Sequence, residues 1–256
     1  HRYAGRVMKG VKVEQSPDWI KNRLTGCGIR PINNIVDVTN YVLLEFGHPL
    51  HAFDLNTLHQ KTIRVDTAGE GSEITTLDGV ERKLPPDAIT IWDAKNPVAV
   101  AGIMGGADTE VSDSTRDVFL ESAFFEPRFV RRTSKSLGLR TEASYRFERG
   151  ADVEFLGDAL DRAAFLIQKT AGGKIYRKID IYPKKFSPVF IDVRAEKVNM
   201  ILGSNISANE MIDIIKRLDI AVEQKDSHFT VRPPSFRQDL VREEDIAEEI
   251  ARVFGY

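Results

Sequence analysis

Cysteine is almost missing from this 256-residue chain, with Cys27 as its single example. One thiol forms no internal disulfide and fits a reducing compartment, so a cytoplasmic location is expected. Long apolar runs are missing as well: none approaches the roughly 20 residues that a helix needs to cross a bilayer, and no membrane role is expected. The start, HRYAGRVMKG, has no charged segment leading into an apolar one, so it does not read as a signal peptide. There is no initiator Met, and the chain stops at Gly255-Tyr256 straight after a helical pattern, so both ends read as cuts and the chain as a fragment. Nor is there a charge excess. The 36 basic and 38 acidic residues leave a net charge of −2, which excludes a protein that holds nucleic acid by bulk electrostatics and leaves only a local patch for RNA. Specific DNA binding is not expected either, because the last helical pattern is acidic where DNA-reading helices carry Lys and Arg.

What is present is an ordinary globular mixture, 42% hydrophobic and 29% charged, long enough for two cores. Ser16-Pro17 reads as a helix start with Ser16 as cap, and Ile35, Val38, Val42 and Phe46 space out a second helix over about 34–46. Gly47 and Pro49 break it, and HPLHAFD reads as a polar turn. Strands are expected near 62–66, 88–92, 97–101 and 118–120, with a tight hairpin at Asp78-Gly79. Helices follow near 127–137 and 153–170, then a closing strand over 174–182. After PKKFSP come helices near 195–202, from Ser207, and near 241–253, with strand-like runs at 221–223 and 229–231. The fold class is therefore α+β. A mixed β/α domain is expected over 1–183, a linker over 184–188, and a small three-helix, winged-helix-like domain over 189–256.

Five stretches carry candidate chemistry. Thr39, Asn40 and His51 offer a hydroxyl, an amide and an imidazole able to position a water. A metal reading of His48, His51 and Asp54 is weak, because Pro49 prevents the helix that would align them. AGIMGG, holding Ala101 and Gly102, suits either a tight turn or a backbone wall, and lacks the Gly-Lys-Ser/Thr of a phosphate loop. Glu121 in LESAFF is a carboxylate among apolar residues, either an edge-strand charge or deliberately buried. LRTEASYRFERG interleaves arginines with aromatics, a pattern for RNA, with structural ion pairs as the plain alternative. Finally Asp239, Asp245, Glu248 and Glu249 crowd a helix start. Either they complement its dipole, or their mutual repulsion is relieved by a hard cation or a cationic partner.

Six long strings, NNIVDVTNYVLLEFGHPLHAFD, TLDGVERKL, VAVAGIMGG, LESAFFEP, GLRTEASYRFERGAD and PPSFRQDLVREEDIAEEIARVFGY, make the chain resemble the bacterial phenylalanine–tRNA ligase β subunit across almost its whole length. The resemblance implies an editing module followed by a helical domain. It implies hydrolysis of tyrosine wrongly attached to tRNA(Phe), with Thr39, Asn40 and His51 at the hydrolytic end and Ala101 and Gly102 as backbone wall. Thr141 and Ala143 match further editing positions, and Glu121 would meet the tyrosine hydroxyl. It also implies an α-subunit partner in an α2β2 heterotetramer, ATP used by the full enzyme but not bound by this fragment, and magnesium at Asp239, Asp245, Glu248 and Glu249, in a site shared with the α subunit. His48 stands where many relatives have Gln, against a general catalytic role. The alternative is a non-catalytic RNA- or subunit-binding scaffold whose editing has been lost.

Overall fold

The computed structural model describes residues 2–225 and 228–255, and the chain folds as two compact units, 1–184 and 185–256. In the first unit β1 (Arg2–Lys9) pairs antiparallel with β9 (Asp117–Phe124), and β9 pairs with β2 (Leu50–Asp54). On its other side β1 pairs with β10 (Lys174–Ile175) and β11 (Ile179–Ile181), so the expected single closing strand is broken into two short ones. Strand β9 carries the logic of this sheet. Its side chains alternate between faces, and both faces are covered: Val118 and Leu120 enter one core, Phe119 and Ala123 another.

The first core packs helices α1 (Asp18–Gly26), α2 (Val36–Phe46) and α5 (Leu156–Ala171) against the sheet. Helix α5 buries Leu156, Ala159, Leu160, Ala163, Ala164 and Ile167, an apolar stripe at three- and four-residue spacing. Helix α1 starts without its expected Ser16 cap, because the Ser16 hydroxyl donates instead to Asp37 Oδ2 at 2.6 Å. The second core lies on the opposite face under a sheet ordered β3 (Arg64–Thr67), β6 (Ile89–Trp92), β7 (Pro97–Val100), β8 (Met104–Gly105). The Asp78-Gly79 turn joins β4 (Glu73–Thr75) to β5 (Glu81–Lys83), with Gly79 at φ +76°. Helices α3 (Pro127–Leu137) and α4 (Glu142–Phe147) complete this side.

The second unit wraps α6 (Ala195–Leu202), α7 (Ala208–Arg217) and α8 (Glu243–Phe254) around a core with one three-stranded antiparallel sheet. Its strand order is β12 (Ile191–Arg194), β14 (His228–Arg232), β13 (Ala221–Lys225). Ser207 caps α7 as its position suggests, accepting from the Glu210 N–H at 3.3 Å. The molecule is thus α+β, and no described helix is long and apolar enough to cross a membrane.

Candidate functional site

A cavity opens on the second-core face of the central sheet, walled by His51, Glu121, the Ala99–Gly105 stretch and, from α4, Ala143 and Phe147. Strand alternation puts the polar groups there together. Glu121 is the register partner of Gly5 on β1 and of His51 on β2, and Tyr3 lies two residues from Gly5 on the same face. Glu121 is only 7% exposed. The Tyr3 hydroxyl donates to its Oε2 at 2.5 Å, and burial pushes its carboxyl up to about 7 against the opposing pull of that hydrogen bond. The Tyr3 phenol is itself pushed well above its usual value, by burial first and by the neighbouring carboxylate second.

His51 therefore sits on a strand rather than in the polar turn expected for HPLHAFD. The residue as a whole is half-buried, yet its Nε2 is sealed from solvent and meets no partner among the described residues. Burial holds its imidazole at about 4, hence neutral near pH 7. Gly105 makes this placement possible: a Cβ there would stand 2.7 Å from His51 Nε2. Gly102 adopts φ +69° against Phe147, and the Ala101 N–H is tied to Ile89 O at 3.1 Å. That leaves the Gly102 N–H as the backbone donor at this wall, without an acceptor among the described residues. The free volume, about 60 Å³, is well below the ~300–1,000 Å³ of ordinary ligand pockets. An aromatic ring would enter only as lining side chains moved apart.

The structure brings five of the sequence-marked residues to this cavity, His51, Glu121, Ala101, Gly102 and Ala143, and leaves three outside its wall. Thr39 is buried in α2 with its hydroxyl donating to Val36 O at 2.7 Å, and Asn40 follows it on the same helix. Thr141 caps α4, accepting from the Ser144 N–H at 3.0 Å while donating to Ile103 O at 2.8 Å. It clasps the helix that carries Ala143 and Phe147. His48, 2% exposed with neither ring nitrogen partnered among the described residues, lies outside the wall too. The sequence does not mark Tyr3, since its partner lies 118 residues away and no local pattern announces it. A larger cavity of about 500 Å³ behind Tyr3 is mostly apolar, and its Arg2 and Arg64 are engaged by Asp180 and Asp66.

In the second unit the four acidic residues do not form one patch. Arg237 grips Asp239 at 2.6 Å and Glu249 at 3.1 Å, and Arg252 also holds Glu249. The Asp245 carboxylate turns back on the chain, accepting from the N–H groups of Val241 at 2.9 Å and Arg242 at 2.8 Å. Glu248 is exposed. Among the described residues no group of three or more potential ligands could hold a metal ion. Within this chain Arg237 relieves the repulsion at Asp239 and Glu249, while both N–H groups meet Asp245 at Oδ2 alone and Glu248 stays exposed.

Comparison with known proteins adds the family. The B3/4 domain model matches residues 1–172 and the tRNA synthetase B5 domain model residues 191–256. The phenylalanine–tRNA ligase β subunit of Carboxydothermus hydrogenoformans is 50% identical over all of this chain, and that of Moorella thermoacetica 48%; the chain spans 32% of each. A solved N-terminal fragment of the phenylalanyl-tRNA synthetase β subunit from Pyrococcus horikoshii is 14% identical. It covers 99% of this chain and 71% of its own at a TM-score of 0.44, too low to carry an argument. With one model over its first two thirds and another over most of the rest, the chain belongs to the B3/4 family and corresponds to about a third of a phenylalanine–tRNA ligase β subunit.

Proposed function

We propose that the first unit hydrolyses tyrosine from mischarged tRNA(Phe). The observation that carries this is the buried Glu121 carboxyl facing a cavity that also holds the unpartnered Nε2 of His51. With Oε2 engaged by Tyr3, Oε1 is left to accept the phenol O–H of a tyrosyl group. Phenylalanine would leave that oxygen buried and unpaired, and sites built on such a bond reject the analogue lacking it by roughly 10⁴–10⁵. The Gly102 N–H supplies a donor for a developing negative charge. An imidazole held near 4 is a poor proton acceptor at neutral pH, so His51 orients the water rather than deprotonating it. An aminoacyl ester is already activated, and a positioned water suffices without a covalent nucleophile. Thr39 and Asn40 enter this reading on resemblance alone, as polar residues on the ribose side.

The family resemblance extends the proposal to an α-subunit partner in a heterotetramer, to tRNA(Phe), and to a cytoplasmic ligase that uses ATP elsewhere in its assembly. In the same reading Asp239, Asp245, Glu248 and Glu249 would supply this chain's share of a magnesium site that the α subunit completes. The test is Glu121→Ala in the full αβ enzyme, comparing deacylation of Tyr-tRNA and Phe-tRNA. The Tyr/Phe ratio is expected to collapse by at least tenfold, and an unchanged ratio overturns the recognition role.

A further inference from the structure

Helix α4 presents different residues to two cavities. Ala143 and Phe147, one helical turn apart, wall the site already described, whereas Ser144 and Tyr145, with Glu148 just beyond, wall a second cleft of about 380 Å³. Apart from Ser134, the remaining walls of that cleft are cationic. Arg131 and Lys135 come from consecutive turns of α3, Arg140 from the loop between the helices, and Arg149 from the segment just past α4. Its one carboxylate, Glu148, is taken by Arg149 at 2.6 Å. Arg131 donates only to the Glu148 carbonyl, at 3.0 Å. Lys135 and Arg140 are exposed and make no ion pair or side-chain hydrogen bond with any described residue. Against a whole-chain net charge of −2, this is a concentrated positive site. Tyr145 stands in it 56% exposed, with the Arg149 guanidinium 3.6 Å from its ring centroid.

We propose that this cleft binds the phosphodiester backbone of the single-stranded acceptor end of the tRNA, feeding the ester to the neighbouring cavity. The proposal rests on the editing reading for its choice of RNA. Uncompensated cations beside an exposed aromatic are the elements of a single-strand site: the charges follow the backbone, and the ring stacks on a base. An acidic protein segment would use the cations but has no need of the exposed ring. The shared helix explains the adjacency, since whatever Tyr145 and Arg149 hold lies one helix width from Ala143 and Phe147.

The experiment assembles the full αβ ligase as wild type and as the double variant Lys135→Gln, Arg140→Gln, and follows Tyr-tRNA deacylation as potassium chloride rises. The variant is expected to show a KM about tenfold higher at low salt. Its slope of log KM against log salt should be shallower by about 1.4, since each single-strand phosphate contact contributes about 0.7. An identical KM and slope overturn the proposal. Loss of α-subunit association with an unchanged salt slope overturns it too, and makes the cleft a protein interface. If the wild type proves unable to hydrolyse Tyr-tRNA, the editing reading fails by itself. Binding of labelled uncharged tRNA to the same two assemblies then decides the cleft: weaker, less salt-dependent binding by the variant upholds it, and identical binding overturns it.

Discussion

A single hydrogen bond sets the character of the candidate site. The Tyr3 hydroxyl stabilises the ionised form of a carboxyl that burial drives towards neutrality at about 7. Ionised Glu121 is the stronger acceptor for a phenol, so selectivity for Tyr-tRNA should rise with pH through that region. Tyr3→Phe keeps the ring and removes the donor. A hydrogen bond to a charged group is worth about 1.5–3 kcal/mol, and one pKa unit is about 1.4 kcal/mol. The acid limb of kcat/KM for Tyr-tRNA should therefore move up by about one to two pH units. A purely structural Tyr3 would lower activity at every pH and leave the midpoint in place, and that outcome would sink the positioning role.

At the scale of elements, what could be read from sequence divides along a physical line. Helix α3 shows itself through Pro127 at its first turn and Gly138 at φ +65° after its last, and α7 through its Ser207 cap. Those signals are local. Strands β1 and β2 are invisible because what makes them strands is β9: RYAGRVMK mixes arginines and glycine into any alternation, and LHAFD follows a proline. The site divides likewise. Glu121 and AGIMGG stand out as anomalies of type, but that His51 lies opposite Glu121 is a matter of register, fixed only when the sheet assembles. The acidic start of α8 is readable as a cluster and ambiguous as to what balances it, since the answer, Arg237, is a matter of side-chain direction. Because Asp245 spends its carboxylate on two backbone N–H groups, Asp245→Ala should cost the second unit about 1 kcal/mol in the manner of a lost cap. Urea unfolding with and without magnesium checks this. The same loss is expected in both conditions for this chain by itself, and no loss at all would overturn the capping role.

Across the whole molecule, the buried ionisable groups of the first unit couple folding to pH. His48 and His51 are depressed from 6.5 to about 4 by burial. Their contribution is complete above pH 6.5 and is lost as pH falls towards 4. Glu121 is raised from 4.5 to about 7, so its contribution is complete below 4.5 and is lost as pH rises through 7. In the overlap between 4.5 and 6.5 the unfolded chain binds two protons at these three groups and the native chain one. Their net effect is a loss of about 1.4 kcal/mol for each pH unit of acidification. His48→Gln removes one of the two unfolded-state protons and should flatten that contribution. Unfolding free energies of both proteins near pH 5 and pH 6 provide the comparison, and parallel slopes would show that His48 is protonated in the native state.

The pairing of β1 with β9 also has a consequence for how the protein is made. Arg2 faces Phe124 and Lys9 faces Asp117 across the sheet, so β1 leaves the ribosome more than a hundred residues before its principal partner is complete. At about 5–20 residues per second, that is a wait of several seconds to about twenty for a strand whose backbone groups have nothing to pair with. Such a topology places the first unit among slow, non-local folders. The arginines that obscure β1 in the sequence, Arg2 and Arg6, end in ion pairs with Asp180 and Asp161, acids translated later still. Until those arrive, the same two charges discourage the nascent strand from pairing with a neighbouring chain. The irregularity that hides β1 from its own pattern is thus also a guard against pairing with the wrong chain.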